Sequence, residues 1–129
     1  MENTKLYLCG PINGCTDSEC SDWREEVKQD FPLSLDPMRR DYRGADLSDL
    51  AAEIVAFDKE DIRACDAVLA YCPYPSVGTS MEIFYAHSIG KPVHLVVPSI
   101  SKASPWLTHH SVTGDESITE ALNSIKKSL

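Results

Sequence analysis

The chain has 129 residues and a mass of 14.3 kDa, enough for one domain with a buried core and too little for two. Hydrophobic residues make up 43% and charged residues 25%, which excludes disordered and fibrous classes. A formal charge of -8 and a pI near 4.8 exclude polymeric DNA or RNA as a partner, because most of the surface repels a phosphate backbone. Any bound anion must therefore meet local donors. No apolar run reaches the roughly 18 residues of a membrane span. The polar start Met1-Glu2-Asn3-Thr4 also lacks the basic and apolar blocks of a signal peptide, so a cytoplasmic protein without a membrane partner is expected. The five cysteines agree, since an odd count without an export signal argues against a disulfide framework.

In chain order, Lys5-Leu6-Tyr7-Leu8-Cys9 is a short apolar run closed by Gly10-Pro11, which predicts a buried strand and a turn. Thr16-Asp17-Ser18-Glu19 has the form of a capping box, and Trp23, Val27 and Phe31 follow at four-residue spacing, so an amphipathic helix is predicted. Leu33-Ser34-Leu35 reads as a brief strand ended by Asp36-Pro37, and residues 38–46 as a polar loop. Leu50, Ile54, Phe57 and Ile62 give helical spacing over about 48–64, with Asp46 or Ser48 as the cap. A third strand spans 67–71. Pro73, Pro75 and Gly78 break the chain, and Met81, Ile83, Phe84, Ala86 and His87 suit a helix ending at Gly90. Residues 92–97 form a fourth strand, 99–117 a loop with a short strand near 111–113, and 118–129 a closing helix with Leu122 and Ile125 on one face. Apolar strands alternating with helices predict a single doubly wound α/β domain over 1–129. The expected sandwich is flavodoxin-like or Rossmann-like, around a five-stranded, mostly parallel sheet. Ligands in such folds sit outside the carboxyl ends of the strands, where the loops 10–16, 36–43 and 72–80 converge.

Ser76-Val77-Gly78-Thr79-Ser80 runs straight into a helix, whose unpaired N–H groups suit a phosphate. The same helix start places Glu82 in its first turn, where the dipole favours an ionised carboxylate. Asp58 shares a helix face with Ile54 and Ile62 and is expected to point inward at the strand ends. Two carboxyls, one anionic and one able to carry a proton, are what glycosidic bond cleavage needs, although a dipole-stabilising glutamate and a solvated aspartate explain the spacing equally. Arg39, Arg40 and Arg43 concentrate positive charge; they suit phosphate oxygens or, alternatively, surface pairs with Asp41, Asp46 and Asp49. Cys9, Cys65 and Cys72 read as core. Cys15 and Cys20 have no zinc-motif companions, and the four histidines lack ligand spacing, so neither a metal nor a cofactor is expected.

Taken together, the stretch Lys5-Leu-Tyr-Leu-Cys-Gly-Pro-Ile-Asn-Gly14, Asp36-Pro37, Asp58 with Asp66, and above all Pro75-Ser-Val-Gly-Thr-Ser-Met-Glu-Ile83 resemble the nucleoside 2-deoxyribosyltransferase family. That family includes the nucleoside 5′-monophosphate N-glycosidases. The resemblance implies that Glu82 is a nucleophile attacking C1′, that Asp58 holds or protonates the leaving base, and that the Tyr7 hydroxyl orients Glu82. It also implies a substrate site built from Gly10, Ile12, Asn13, Gly14, Ser76, Gly78 and Met81. Ser104 would be supplied by a neighbouring subunit of a homodimer or larger assembly. Ser76 matches the monophosphate branch, where free-nucleoside transferases tend to carry an acidic residue. Pro11 and Asn13 depart from the serine and arginine of the animal-type glycosidases, and Arg39, Arg40 or Arg43 would replace the missing charge. The expected function is cleavage of a (2′-deoxy)nucleoside 5′-monophosphate into base and sugar phosphate. The rivals are base exchange on free nucleosides and a non-catalytic nucleotide sensor.

Overall fold

Residues 3–129 are described by a computed structural model, and Met1 and Glu2 of the polar start lie outside the described residues. Along the chain run β1 (Leu6–Cys9), α1 (Asp17–Asp30), a 3-10 turn (Pro37–Arg39), α2 (Leu47–Ala64), β2 (Ala67–Tyr71) and α3 (Val77–Ser88). Then follow β3 (Val93–Val96), a second 3-10 turn (Ile100–Lys102), α4 (Pro105–His109), β4 (Thr113–Asp115) and α5 (Ile118–Lys127).

The sheet has four parallel strands in the order β1-β2-β3-β4, not the five expected. The missing strand is reduced to one residue, Leu35, which bridges to Tyr7 on the free edge of β1 by donating to the Leu6 carbonyl (2.7 Å) and accepting from the Leu8 N–H (3.1 Å). Its neighbours cannot extend the ladder. Pro32 has no N–H, Ser34 turns its N–H back to the Phe31 carbonyl, and the Asp36 side chain caps the turn at Met38. The chain thus leaves β1 for one edge and returns to β2 on the other, so the crossover lies beside the carboxyl end of β1.

Strand alternation builds two cores. Leu6 and Leu8 of β1 face Trp23, Val27 and Phe31 of α1 and Ala121, Leu122 and Ile125 of α5. Tyr7 and Cys9 face the opposite layer, with Ile62 of α2 and Ile83 and Ala86 of α3. Cys65 and Cys72 join that layer as expected. Departures lie in α2 and α4. Of the α2 residues read as an apolar face, only Ile62 is deeply buried, while Phe57 is exposed and Leu50 and Ile54 are half-buried. α4 forms inside the expected loop, started by Ser104, whose hydroxyl accepts from the Trp106 N–H (3.2 Å), and by Pro105 at its first position.

The turn after β1 is held by two features. A Cβ on Gly10 would stand 2.7 Å from Trp23 Cζ2 and 3.2 Å from the Tyr71 carbonyl oxygen, so only glycine fits. Arg24, wholly buried, donates to the carbonyls of Leu8 (3.3 Å), Cys20 (2.6 Å) and Gly10 (3.1 Å), and its charge lies 3.6 Å from Asp36. Lys28 neutralises Asp36 from the other side at 2.6 Å.

Candidate active site

A cleft of about 450 Å³ opens at the carboxyl ends of β1 and β2, where the strand order reverses. Gly10, Ile12 and Asn13 form one wall, Tyr74, Pro75 and Ser76 another, and Ile54, Val55 and Asp58 of α2 a third. Gly78, Thr79 and Glu82 of α3 complete the lining, with Arg40 and Tyr42 at the side. Strand alternation explains Tyr7, because it points toward α3 and its hydroxyl donates to Glu82 Oε2. Burial, followed by the Glu82 charge, raises the Tyr7 phenol well above its ordinary range, so it stays a neutral donor.

The expectation of an anionic Glu82 is overturned. α3 begins at Val77 with Ser76 as its N-cap, which puts Glu82 in the second turn, and the helix dipole fades beyond the first. Burial, reinforced by the Asp58 charge, pushes the Glu82 carboxyl up to about 8, against the lowering effects of the Tyr7 hydrogen bond and the Arg24 charge. Asp58 is also raised, mainly by burial, although Arg40 at 3.6 Å pulls it down. Two carboxyls facing one cleft therefore hold a proton near neutral pH, with Glu82 as its resting place. That arrangement can supply a nucleophile and an acid to one bond.

At the mouth of α3, the Ser76 hydroxyl makes no cap bond to the helix backbone and donates to Thr79 Oγ1 at 3.0 Å. The open side of Gly78 faces Glu82, with Oε1 lying 3.9 Å from where a Cβ would stand. The three arginines part ways. Arg40 reaches the cleft and holds Asp61 at 2.7 Å as well as Asp58. Arg39 binds both oxygens of Asp61 at 2.9 Å, and Arg43 binds Asp17 (2.7 Å) and Asp41 (2.8 Å) on the outer side of the first loop. Of the expected acidic partners only Asp41 is used, and Asp46 caps α2 instead.

Gly14 lies in a shallower neighbouring depression with Cys15 and Arg43. Met81 and Ser104 line an adjoining apolar groove of about 720 Å³ together with Phe84, Trp106, Leu107 and His110. This groove shares Tyr74, Pro75 and Ser76 with the cleft. Sequence reading missed Arg24, Tyr42 and Tyr74. Arg24 alone left a signal, a charge four residues after Cys20 in the stripe that packs inward. Among the described residues no three His, Cys, Asp or Glu side chains converge as metal ligands, and no helix is long and apolar enough to cross a membrane.

The family model for nucleoside 2-deoxyribosyltransferase matches residues 6–121. The chain belongs to this family. The expected family is thus borne out, and with it an enzyme acting on nucleosides or nucleotides. No curated protein matches the sequence. Among solved structures, the 2-deoxyribosyltransferase of Bacillus psychrosaccharolyticus is similar at a TM-score of 0.73 and 20% identity, over 93% of this chain and 91% of that one. A conserved protein from Enterococcus faecalis V583 is similar at 0.67 and 18% identity, over 98% and 99%. The CMP N-glycosidase BcmB of Clostridium botulinum is similar at 0.57 and 18%, over 98% and 100%. At these identities the likeness is one of fold, and it extends over nearly the whole of each chain.

Proposed function

We propose that the chain hydrolyses the N-glycosidic bond of a (2′-deoxy)nucleoside 5′-monophosphate. The observation that carries this reading is the pairing, in one cleft, of Glu82 and Asp58 with Ser76 and Gly78 at the start of α3, where Ser76 is not an acidic residue. Glu82 gives its proton to Asp58, attacks C1′ as a carboxylate and forms a glycosyl ester as the bond to the base breaks, while Asp58 delivers that same proton to the departing base. Tyr7 holds the attacking carboxylate by its hydroxyl. Water then cleaves the ester, returning the sugar phosphate. The N–H groups of the first turn of α3 and the Ser76 hydroxyl receive the phosphate. Of the three arginines, Arg40 lines the cleft and supplies its positive charge, so Arg39 and Arg43 serve by fixing the loop around it.

A second copy of the chain is proposed to cover the apolar groove that holds Ser104, where Met81, Phe84 and Trp106 are all more than half exposed. Sedimentation is expected to give a particle of at least twice the 14.3 kDa chain mass.

The test is base release, followed by chromatography, from ribo- and deoxyribonucleoside 5′-monophosphates and the matching free nucleosides, with and without an added base. Release from monophosphates alone, independent of acceptor, is the expected result. Reaction of free nucleosides only with an acceptor base would assign the chain to base exchange, and silence across the panel would leave a nucleotide sensor. Ser76→Asp is expected to slow monophosphates at least about fivefold relative to nucleosides, since one like-charge contact at the cleft is worth roughly 1 kcal/mol or more. Equal slowing of both would remove Ser76 from the phosphate site.

A further inference from the structure

We propose that Cys15 and Cys20 are a reversible redox pair, closing to a disulfide that alters the wall of the cleft. Cys15 directly precedes Thr16, the N-cap of α1, and Cys20 is the fourth residue of that helix. A capping box brings side chains at those two positions together, and both halves of the box are formed here, Glu19 N–H to Thr16 Oγ1 at 3.2 Å and Thr16 N–H to Glu19 Oε1 at 2.9 Å. In most helices apolar side chains fill the pair; here it is two thiols. Both cysteines converge on one acceptor, the Ile12 carbonyl, which takes the Cys15 N–H at 3.1 Å and the Cys20 thiol at 3.6 Å. Both residues are free thiols.

Their exposures assign an order. Cys15 lines the depression beside Arg43 and keeps 9% of its surface, whereas Cys20 is fully buried beneath it. The oxidant is a small-molecule disulfide such as oxidised glutathione. Cys15, as thiolate, bonds to one glutathione sulfur and expels the other as thiolate. Cys20 then loses its proton, attacks the Cys15 sulfur and expels the second glutathione. The two cysteines are oxidised, one external disulfide is reduced to two thiols, and the protons released pass to them. Burial pushes the Cys20 thiol up while the Arg43 charge lowers it, which makes the second step the slow one.

The link to the cleft is Tyr74. Its hydroxyl meets the Cys15 sulfur at 3.0 Å, joining the first loop to the wall that carries Ser76. Disulfide formation removes the Cys15 proton and turns the sulfur toward Cys20, releasing Tyr74 from that contact.

The test reads thiols and so is independent of the proposed reaction. The full chain is treated with excess oxidised glutathione, denatured, alkylated and weighed intact. The reduced protein carries five labels, one per cysteine. The oxidised protein is expected to carry two fewer, with the peptides of Cys15 and Cys20 joined, and dithiothreitol is expected to restore all five. Cys20→Ser is expected to stop at a stable glutathione adduct on Cys15; Cys20→Ala serves if the serine variant fails to fold. Full labelling after oxidation, a persistent adduct in the unaltered chain, or a different cysteine pairing would each overturn the proposal.

Discussion

Replacing Glu82 with glutamine is expected to lower base release by at least about 10³-fold, the scale of losing a covalent nucleophile, and to make the fold more stable in alkali. Both effects follow from one carboxyl placed where burial and Asp58 resist its charge. An ordinary glutamate ionises near 4.3, whereas Glu82 in the fold ionises at about 8. Between those two values the folded chain holds a proton that the unfolded chain has already released. Stability from this group is therefore complete below about pH 4 and falls as pH rises through 8, by up to about 1.4 kcal/mol per pH unit. Above 8 both states are ionised and the fall ends. Glutamine is neutral throughout and removes the slope, so urea midpoints of the variant and the unaltered chain should diverge steadily from about pH 5 to about pH 8 and then run parallel. Parallel midpoints would show that Glu82 ionises normally.

The same placement sets the pH dependence of the reaction. The proposed reaction needs one proton on the Glu82–Asp58 pair, for Asp58 to deliver to the base, so kcat/KM should fall as pH rises through about 8 and that last proton leaves. The Asp58 charge raises Glu82, so Asp58→Asn should move the Glu82 titration to lower pH, visible in the carbon shift of a labelled side chain even though turnover is lost with the acid. The stabilised glutamine variant and the strained native carboxylate are two faces of one design, in which the group that reacts is the group that the fold tolerates least.

Much of this was legible before any coordinates. Lys5 to Cys9 read as a buried strand, and the four-residue spacing of Ile54, Asp58 and Ile62 put a carboxyl toward the strand ends. Periodicity fixes such faces because it is a local property of the chain. The position of Glu82 within its helix was not legible, since the helix begins at Val77, about four residues before the start that the loop-like Ser76–Ser80 suggests, and burial depends on what surrounds the side chain. Leu33-Ser34-Leu35 has strand composition, but Pro32 and Asp36-Pro37 leave only Leu35 with a backbone free to pair. α2 shows why apolar periodicity is insufficient: Val55 and Phe57 have the right character and remain exposed, Val55 over the cleft. The arginine cluster read as one unit, yet Arg39 and Arg40 turn to Asp61 and, for Arg40, Asp58 on α2, far along the sequence, while Arg43 turns to Asp17 and Asp41.

Arg24 was missed for the opposite reason: its place four residues after Cys20 points inward, yet a guanidinium in a polar helix reads as surface. Arg24→Met is expected to destabilise the chain by about 3 kcal/mol or more, among the larger effects of a single substitution. Methionine fills much of the volume, so the loss is electrostatic. The carbonyls of Leu8, Gly10 and Cys20 lose a donor inside the core, each at a cost of roughly 1 to 3 kcal/mol, while Lys28 continues to neutralise Asp36 and limits the damage there. Arg24→Lys keeps the charge without the fork and should recover only part of the loss. Urea unfolding decides the matter, and a change below about 1 kcal/mol would mean that the three carbonyls find other partners. A second readout separates positioning from packing. The Arg24 charge lowers the Glu82 carboxyl, so its removal should carry Glu82 above 8 and move the alkaline decline in stability further up in pH. A purely steric role would leave that decline where it stands.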